Sequence, residues 1–339
     1  MDMLYILGIA IVLWLQSLGM WLLGPMIFFT NLGYEQFYML VAPLLFWNIN
    51  PSLGLRAGVG LMISNGIIDI LKISFHGARP YWYDPRVPAL SSEPSFGAPS
   101  SHAQNAVVFW GLAANHSKRA WTWLAAILLI LLISISRIYL GVHFPMDVLI
   151  GWLFGVGVLL LMIRYERPVL AWFREKQPWM QIGLVLAVSL VMMAASYLVR
   201  LALRSWTLPE SWVTLAGRAG PIDPLAFSGG ITAAATFSGL AIGGILLFRN
   251  GWMDARGTVW QHIARYLLGL VGVVAIWYGL DQIFPEGDNF VAYLARFIRY
   301  GLVGLWVSYL APRIFIRFGL AKPEYSMAAR DDDERGTRS

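Results

Sequence analysis

The sequence has no cysteine and few charged residues, and both absences narrow what the chain can be. Without cysteine there is no disulfide, no thiolate metal ligand and no cysteine nucleophile, and the redox compartment stays undetermined. Charged residues make up 13% of the 339 residues, about half the share of an average soluble domain. A water-soluble core would not need so much unbroken apolar sequence, which excludes an ordinary soluble fold.

Hydrophobic residues make up 58% of the chain, with 16 Trp, 14 Tyr and 18 Phe among them. Aromatic rings are favoured where helix ends meet lipid headgroups, and a spanning helix needs about 20 apolar residues. We therefore predict an all-α, polytopic membrane helix bundle. Ten candidate spans are Leu4–Phe29, Gln36–Asn48, Leu53–Ile73, His102–Asn115, Trp121–Arg137, Pro145–Ile163, Gln181–Leu203, Phe227–Phe248, Ile263–Phe284 and Phe290–Ile314.

Three of the ten spans depart from the simple pattern. Leu4–Phe29 is interrupted by Gln16 and Pro25, so an alternative is that part of it lies in the membrane interface. Gln36–Asn48 and His102–Asn115 are short and must borrow flanking residues.

Lysine and arginine are distributed unevenly between the predicted loops. With the N-terminus inside, most of the 25 basic residues fall on the inner side, as the positive-inside rule requires. The basic loop Arg164–Pro178 then separates a six-helix front half from about four extra C-terminal spans. The predicted division is 1–165 for the membrane core, 166–179 for a cytoplasmic linker, 180–320 for a four-helix membrane region and 321–339 for a disordered tail.

Three short polar stretches stand out in the front half. They are Lys72–Pro80, Pro99–His102 and Ser136–Asp147. The predicted topology places all three at the outer ends of spans, so they can converge on one pocket. Ionisable groups at a membrane edge are costly and usually functional. One arginine or histidine alone could be an interfacial anchor, but three ordered clusters on one face favour a site.

The cationic side chains of these stretches suit a phosphate. Lys72, Arg79 and Arg137 supply three positive charges, and the two guanidinium groups can bind oxygen pairs bidentately. The backbone N–H groups of Ser100 and Ser101 precede a predicted helix, whose N-terminus attracts anions. The pattern therefore predicts a phosphate site.

Two histidines provide the proton-handling and nucleophilic groups that phosphoryl transfer needs. His143 and Asp147 are four residues apart, so on a helix they share a face. The carboxylate can bind one ring nitrogen and leave the other free as a nucleophile. His102 can protonate the departing alkoxide, and the cationic cluster can stabilise the transition state without a metal.

These motifs resemble those of the type 2 phosphatidic acid phosphatase superfamily, which run Lys-x6-Arg-Pro, Pro-Ser-Gly-His and Ser-Arg-x5-His-x3-Asp. The resemblance covers roughly residues 30 to 165, and the first and third motifs match at every defining position. In the second motif Ser101 stands where the family has glycine. Because glycine alone adopts a positive φ freely, this change raises the question of whether the local backbone is kept.

The resemblance implies a six-helix core and hydrolysis through a phosphohistidine, with no metal and no other cofactor. It implies that His143 is the nucleophile, Asp147 its partner and His102 the general acid. It also implies a set of phosphate ligands, namely Lys72, Arg79, Ser100, Ser101 and Arg137.

The back half carries four arginines at predicted outer helix ends. Arg200 and Arg204 are four residues apart, and Arg296 and Arg299 are three apart. They could form ion bridges with the acidic neighbours available on the same side, namely Asp223, Asp281, Glu286 and Asp288. The functional alternative is that they bind an anionic headgroup of the substrate.

The sequence therefore predicts a membrane lipid phosphatase, acting on a phosphorylated lipid at the outer face of a bacterial inner membrane. An isoprenoid carrier diphosphate is the first candidate substrate, with phosphatidic acid, phosphatidylglycerophosphate and sphingoid phosphates open. Two rival functions are a lipid phosphotransferase using the same intermediate and a phospholipid transporter or scramblase. No nucleic-acid partner is predicted. Glycine pairs such as Gly151 and Gly155 allow close helix packing, within the chain or in a homodimer.

Overall fold

The computed structural model describes residues 2–324, in which nearly all regular structure is helical. The fourteen α-helices of this range are α1 Asp2–Ser17, α2 Leu23–Asn31, α3 Glu35–Leu44, α4 Pro51–Phe75, α5 Pro80–Tyr83, α6 Ser101–Ser117, α7 Ala120–Tyr139, α8 Pro145–Arg174, α9 Pro178–Ala202, α10 Glu210–Ala216, α11 Ser228–Arg249, α12 Val259–Asp281, α13 Phe290–Leu305 and α14 Ala311–Arg317. Short π-helical turns, Leu45–Ile49 and Trp306–Leu310, continue α3 and α13. The predicted all-α class is confirmed.

Seven helical segments of the described chain are long and apolar enough to cross a membrane. An eighth is added if the bent pair at the N-terminus counts as one span. The protein is therefore an integral, multi-pass membrane protein. The four predicted C-terminal spans correspond to α9, α11, α12 and the α13–α14 segment, whereas the total of ten predicted spans is too high by this measure.

Helix α6 shows why the count differs. It contains the predicted span His102–Asn115 but has only 17 residues, and Gln104 and Asn105 lie buried in it. Ser64 of α4 donates to Asn105 Oδ1 (2.7 Å) and accepts from Gln104 Nε2 (3.1 Å). A helix enclosed by other helices can satisfy polar side chains there, so it need not be continuously apolar.

The first apolar segment is broken, as its polar interruptions predicted. Helix α1 ends at Ser17, and the next helical stretch, Met20–Asn31, is bent from it by 86°. Gly19 lies in the break with φ 111°, a conformation that costs glycine little.

The polar stretch between the two halves is shorter than predicted. Helix α8 continues through Pro168 to Arg174, and α9 starts at Pro178, so the prediction of a loop over Arg164–Pro178 was wrong. Proline removes one helical hydrogen bond, but the flanking turns of a 30-residue helix keep the chain helical here. The division of the sequence into the four predicted regions stays a prediction.

A small antiparallel sheet was not predicted. Strand β1, Trp252–Asp254, pairs with β2, Lys322–Glu324, so the first residues of the predicted disordered tail are extended and paired. The two strands are each three residues long, which gives little periodicity to detect. Most of the predicted tail, residues 325–339, lies outside the described residues.

The chain forms two compact units that alternate along the sequence. Unit 1 consists of Met1–Tyr38, Gly60–Arg167 and Val191–Gly230, and unit 2 of Met39–Val59, Pro168–Leu190 and Ile231–Ser339. All three polar motifs belong to unit 1. A buried apolar cluster of unit 1, including Trp82, Phe96, Tyr139 and Phe144, surrounds the turns that carry these motifs.

Candidate active site

Ends of four consecutive long helices bring the predicted site residues together in unit 1. Lys72 lies in the last turn of α4 and Arg137 in the last turn of α7. Ser100 caps the start of α6, and Asp147 lies in the first turn of α8. Since successive helices run in opposite directions, the end of one and the start of the next lie on the same side. The side chains of these four residues are buried.

His143 and Asp147 form the predicted pair. The distance from His143 Nδ1 to Asp147 Oδ2 is 3.3 Å, and the same oxygen accepts the backbone N–H of Phe144 (2.9 Å). His143 lies in the turn just before α8, so the backbone hydrogen bond fixes the carboxylate against the histidine ring. A carboxylate in this position selects the tautomer of the ring.

Arg79 indicates which nitrogen of His143 is free. Its Nη1 lies 3.3 Å from His143 Nε2 and donates to the carbonyl of Val142 (2.8 Å). Because guanidinium nitrogens only donate, Nε2 must accept and therefore has no hydrogen. The proton of the neutral ring is then on Nδ1, facing Asp147. The arrangement leaves the lone pair of Nε2 directed at the cationic side of the site.

Lys72 and Arg79 both bind the loop that connects α5 and α6. Lys72 Nζ donates to the carbonyl of Phe96 (2.6 Å), and Arg79 Nε donates to the carbonyl of Ser95 (2.6 Å). The Ser95 hydroxyl accepts from both cations, at 3.2 Å each. Neutral oxygens fix the direction of the two side chains but do not neutralise their charges.

Arg137 is bound differently, because a carboxylate lies against it. Its Nη2 forms an ion pair with Glu93, and its Nη1 donates to the hydroxyl of Thr30 (2.6 Å). The guanidinium also lies over the ring of Tyr34, 5.5 Å from its centroid. Arg137 Nε is buried and has no hydrogen-bond partner among residues 2–324.

His102 faces the site with one nitrogen unengaged. Its ring contacts Tyr34 edge to face at 4.6 Å between centroids, and its Nε2 is buried without a partner in the described chain. A Cβ atom on Gly33, between α2 and α3, would lie 2.5 Å from His102 Cδ2, so position 33 must be glycine to leave room for the histidine ring. Unsatisfied buried donors and acceptors are costly, and Nε2 of His102 is therefore available to a ligand.

The substitution of glycine by Ser101 does not disturb the backbone. Among the described residues only His76 and Lys118 are non-glycine residues with positive φ, so Ser101 has an ordinary helical conformation. It begins α6, and the Ser100 hydroxyl accepts from the N–H of Ala103 (3.5 Å) at the cap. The question that the sequence raised at this position is resolved: no positive φ is needed.

Glycines of the α8 face allow the two motif helices to approach. A Cβ on Gly151 would lie 2.7 Å from the carbonyl oxygen of Ser100, and one on Gly155 would lie 2.9 Å from that of Gln104. This glycine pair therefore packs within the chain, and the homodimer stays a prediction.

Sequence analysis missed three residues that bind the cations of the site, namely Glu93, Thr30 and Ser95. Glu93 lies in the loop that follows α5, and no motif marks it. Its acidic character in a loop rich in proline and serine was the only available signal. Thr30 and Ser95 were missed for the same reason, since single hydroxyls have no characteristic spacing.

The segment between α9 and α11 packs on this loop. The ring of Trp206 contacts Phe96 (5.7 Å between centroids) and Trp212 contacts Trp82 (6.3 Å). The N–H of Asp223 donates to the carbonyl of Pro94 (3.1 Å). The loop that binds Lys72 and Arg79 is thus held from its other side.

Charge around Glu93 and His143 affects their protonation. Burial alone would raise the pKa of Glu93, but Arg137 and Arg79 lower it to about 2 overall, so the residue is ionised at neutral pH. Burial and then the positive charges of Arg79 and Lys72 hold the pKa of His143 well below its ordinary value. The imidazole is therefore neutral at neutral pH, as a nucleophile must be.

The four arginines of the back half are placed in two different units. In unit 1, Arg200 lies over the ring of Phe227 (5.0 Å) and Arg204 is exposed. In unit 2, Arg299 forms an ion pair with Asp281, and Arg296 lies 3.5 Å from the hydroxyl of Thr232. The Arg299 contact matches the ion-bridge alternative, and headgroup binding by the four residues stays a prediction.

Comparison with known proteins places these motifs in a family. Residues 53–171 match the model of the PAP2 superfamily, and residues 231–323 match that of the PAP2 superfamily phosphatase transmembrane extension. The chain is 29% identical over 146 residues to the undecaprenyl-diphosphatase of Sulfolobus acidocaldarius, covering 42% of this chain and 70% of that one.

Two further relatives have other names. The chain is 27% identical to sphingosine-1-phosphate phosphatase 1 of Rattus norvegicus, over 40% of this chain and 33% of the relative. It is 33% identical to phosphatidylglycerophosphatase B of Bacillus subtilis, over 26% of this chain and 47% of the relative. The chain thus spans a third to a half of the length of these two proteins.

Proposed function

Because the chain belongs to the PAP2 superfamily of membrane phosphatases, we propose that it hydrolyses a lipid phosphate or diphosphate through a phosphohistidine on His143. The observation that supports this most directly is the orientation of one ring. Asp147 accepts a hydrogen bond from Nδ1 of His143, while Nε2 of the same ring keeps its lone pair and lies beside Arg79. A purely binding site would need the cations but not an oriented nucleophile.

The first step transfers the phosphoryl group to the enzyme. The lone pair of His143 Nε2 attacks phosphorus as the bond from phosphorus to the leaving oxygen breaks. His102, in its protonated form, gives its proton to that oxygen. The leaving group departs as a lipid alcohol from a monoester, or as a lipid monophosphate from a diphosphate.

The second step regenerates the enzyme. Water attacks the phosphorus of the phosphohistidine and passes a proton to His102, which acts here as the base. The bond from phosphorus to nitrogen breaks, and its electron pair returns to Nε2. Inorganic phosphate is left among the cations.

Lys72, Arg79 and Arg137 stabilise the charge of the transferred group. The transition state of phosphoryl transfer carries its charge on three equatorial oxygens, so prepositioned donors lower the barrier. Hydrogen bonds to Ser95 and Phe96 already orient Lys72 and Arg79. The N-terminus of α6, at Ser100 and Ser101, adds backbone N–H donors for the anion.

An isoprenoid carrier diphosphate is the substrate class that we favour. Among the relatives described above, this chain covers the largest share, 70%, of the protein named undecaprenyl-diphosphatase. A diphosphate also offers a second phosphoryl group as a leaving group that departs more readily than an alkoxide. Phosphatidylglycerophosphate and sphingoid phosphates are the alternatives that a substrate panel separates.

The active site is proposed to face the outside of a bacterial inner membrane. The basic residues of the loops outside the motifs are concentrated on the opposite side, which the positive-inside rule assigns to the cytoplasm. An outward site suits a lipid carrier that releases its cargo outside.

The test is phosphate release by the purified protein in detergent, with EDTA present. Wild type should release inorganic phosphate from at least one lipid of a panel containing isoprenoid diphosphate, phosphatidic acid, phosphatidylglycerophosphate and sphingoid phosphate. His143→Ala should reduce release by at least about 10⁴-fold, since removing a nucleophile removes the covalent route.

His116→Ala is the matched control, because His116 is exposed at the far end of α6 and should retain wild-type activity. Release by His143→Ala at the wild-type rate would contradict the mechanism. Phosphate found on a second lipid instead of in solution would identify a phosphotransferase.

A further inference from the structure

The carboxylate of Glu93 is bound to Arg137, a cation that a substrate phosphate would need. It forms an ion pair with Nη2 of Arg137, whose side chain is fully buried, while 18% of the Glu93 side chain is exposed. Arg137 therefore has a carboxylate partner within the chain. Lys72 and Arg79, by contrast, are bound by neutral oxygens.

Two atoms near this ion pair have no partner in the part of the chain that the structure describes. They are Nε of Arg137 and Nε2 of His102, and both are buried. Buried polar atoms are nearly always satisfied by protein, water or ligand. Arg137 and His102 therefore have hydrogen-bonding capacity that Glu93 does not use.

Hydrogen bonds to Tyr81 hold the backbone of Glu93, whereas its carboxylate is held by the ion pair with Arg137. The Tyr81 hydroxyl donates to the carbonyl of Glu93 (3.1 Å) and accepts from its N–H (3.0 Å). The next residue, Pro94, accepts the N–H of Asp223 (3.1 Å). The Glu93 carboxylate can consequently leave Arg137 by rotation about its own side-chain bonds, without movement of the loop.

We propose that Glu93 exchanges with the phosphoryl group for Arg137, and that its return expels inorganic phosphate after hydrolysis. The inference rests on the proposed function of this site. When substrate binds, the hydrogen bond from Nη2 to the Glu93 carboxylate breaks and one from Nη2 to a phosphate oxygen forms. When the product leaves, the reverse occurs. No proton or covalent bond is transferred in either exchange.

The exchange also makes Glu93 a specificity residue. Each phosphate anion must compete with a tethered carboxylate for Arg137. A lipid substrate has contacts of its chain to offset this competition, whereas free phosphate has none. Glu93 therefore weakens binding of the product more than it weakens catalysis on the lipid.

The experiment compares Glu93→Gln with wild type in inhibition by inorganic phosphate and by orthovanadate. Glutamine keeps the size of the side chain and removes its charge. Charge-assisted hydrogen bonds are about twice as strong as neutral ones, so the inhibition constant for both anions should fall roughly tenfold in the variant. The KM for the lipid should fall less, and kcat should fall because phosphate is released more slowly.

Asp84→Asn is the matched control. Asp84 lies in the same loop and pairs with Arg86, whose side chain is 70% exposed, so the inhibition constants should equal those of wild type. If Glu93→Gln does not fold, Glu93→Asp carries the test. Its carboxylate is one methylene shorter and should lower the inhibition constants in the same direction.

The two proposals fail differently. Wild type that releases no phosphate from any lipid phosphate would overturn the proposed function. Wild type that is active, with inhibition constants unchanged or raised in the folded Glu93 variants, would leave that function intact and reduce the ion pair to a structural contact.

Discussion

The backbone N–H of Ser100 donates to the backbone carbonyl of Asp147 at 2.9 Å. This hydrogen bond joins the cap of α6 to the first turn of α8, so the N-terminus that would receive the phosphate is fixed relative to the histidine pair. It involves no side chain of either residue. Substitution of the Asp147 side chain should therefore leave the two helices in register.

Replacing Asp147 by asparagine separates orientation of the nucleophile from assembly of the site. Asparagine carries no charge, and where its amide nitrogen takes the place of Oδ2 it donates to His143 Nδ1 instead of accepting from it. We expect kcat to fall on the order of 10²–10⁴-fold, because the wrong tautomer places the proton on Nε2. KM should change little. The measurement is steady-state phosphate release, and a fall in kcat of less than about twofold would contradict the role of Asp147.

Restoring the family glycine at position 101 should have little effect on activity. Ser101 already has an ordinary helical φ, so Ser101→Gly gains no backbone conformation that the site needs. We expect kcat/KM within about threefold of wild type. Thermal stability should decrease slightly, because glycine costs roughly 0.5–1 kcal/mol in a helix. A large gain in kcat/KM would show that Ser101 limits phosphate binding.

The acidic limb of the pH profile of kcat/KM should lie at a lower pH than the ordinary pKa of histidine. Burial and the charges of Arg79 and Lys72 hold the pKa of His143 below its ordinary value. The protonated ring cannot attack, so kcat/KM falls with decreasing pH only once the pH approaches that lowered pKa. A profile of kcat/KM for wild type checks this. A limb at or above the ordinary histidine pKa would contradict it.

Orientation in the membrane can be tested because the natural chain has no cysteine. Arg86 and Lys118 are both exposed and flank opposite ends of α6, a helix about 25 Å long at 1.5 Å per residue. A membrane-impermeant maleimide should label Arg86→Cys in intact cells. It should label Lys118→Cys only after permeabilisation. The opposite pattern would place the active site on the cytoplasmic face.

Some features of this site could be predicted because they depend on local periodicity. His143 and Asp147 are four positions apart, and the turn that leads into α8 brings them together as a helical turn would, so spacing predicted their contact. The cations at 72, 79 and 137 were identifiable because charge is rare in apolar sequence. Their convergence followed from counting helices, even though the count of full spans was too high.

The errors have a common physical origin. Helix α6 was predicted as a span but is not among the long apolar helices, because it has only 17 residues and includes polar side chains that neighbouring helices satisfy. The loop over Arg164–Pro178 was predicted from proline and charge, yet α8 continues through it. In both cases packing or the length of a helix outweighed a local signal.

The sequence by itself determined the class of the protein, its helices and the chemistry of its motifs, because these depend on composition and on spacings of a few residues. Only the tertiary structure decided which nitrogen of His143 is free and lies beside Arg79. It also decided that Glu93 and Thr30 bind Arg137. These contacts join residues 44 to 107 positions apart along the chain. No local pattern encodes such contacts, since they exist only once the helix ends and the loop above them have packed together.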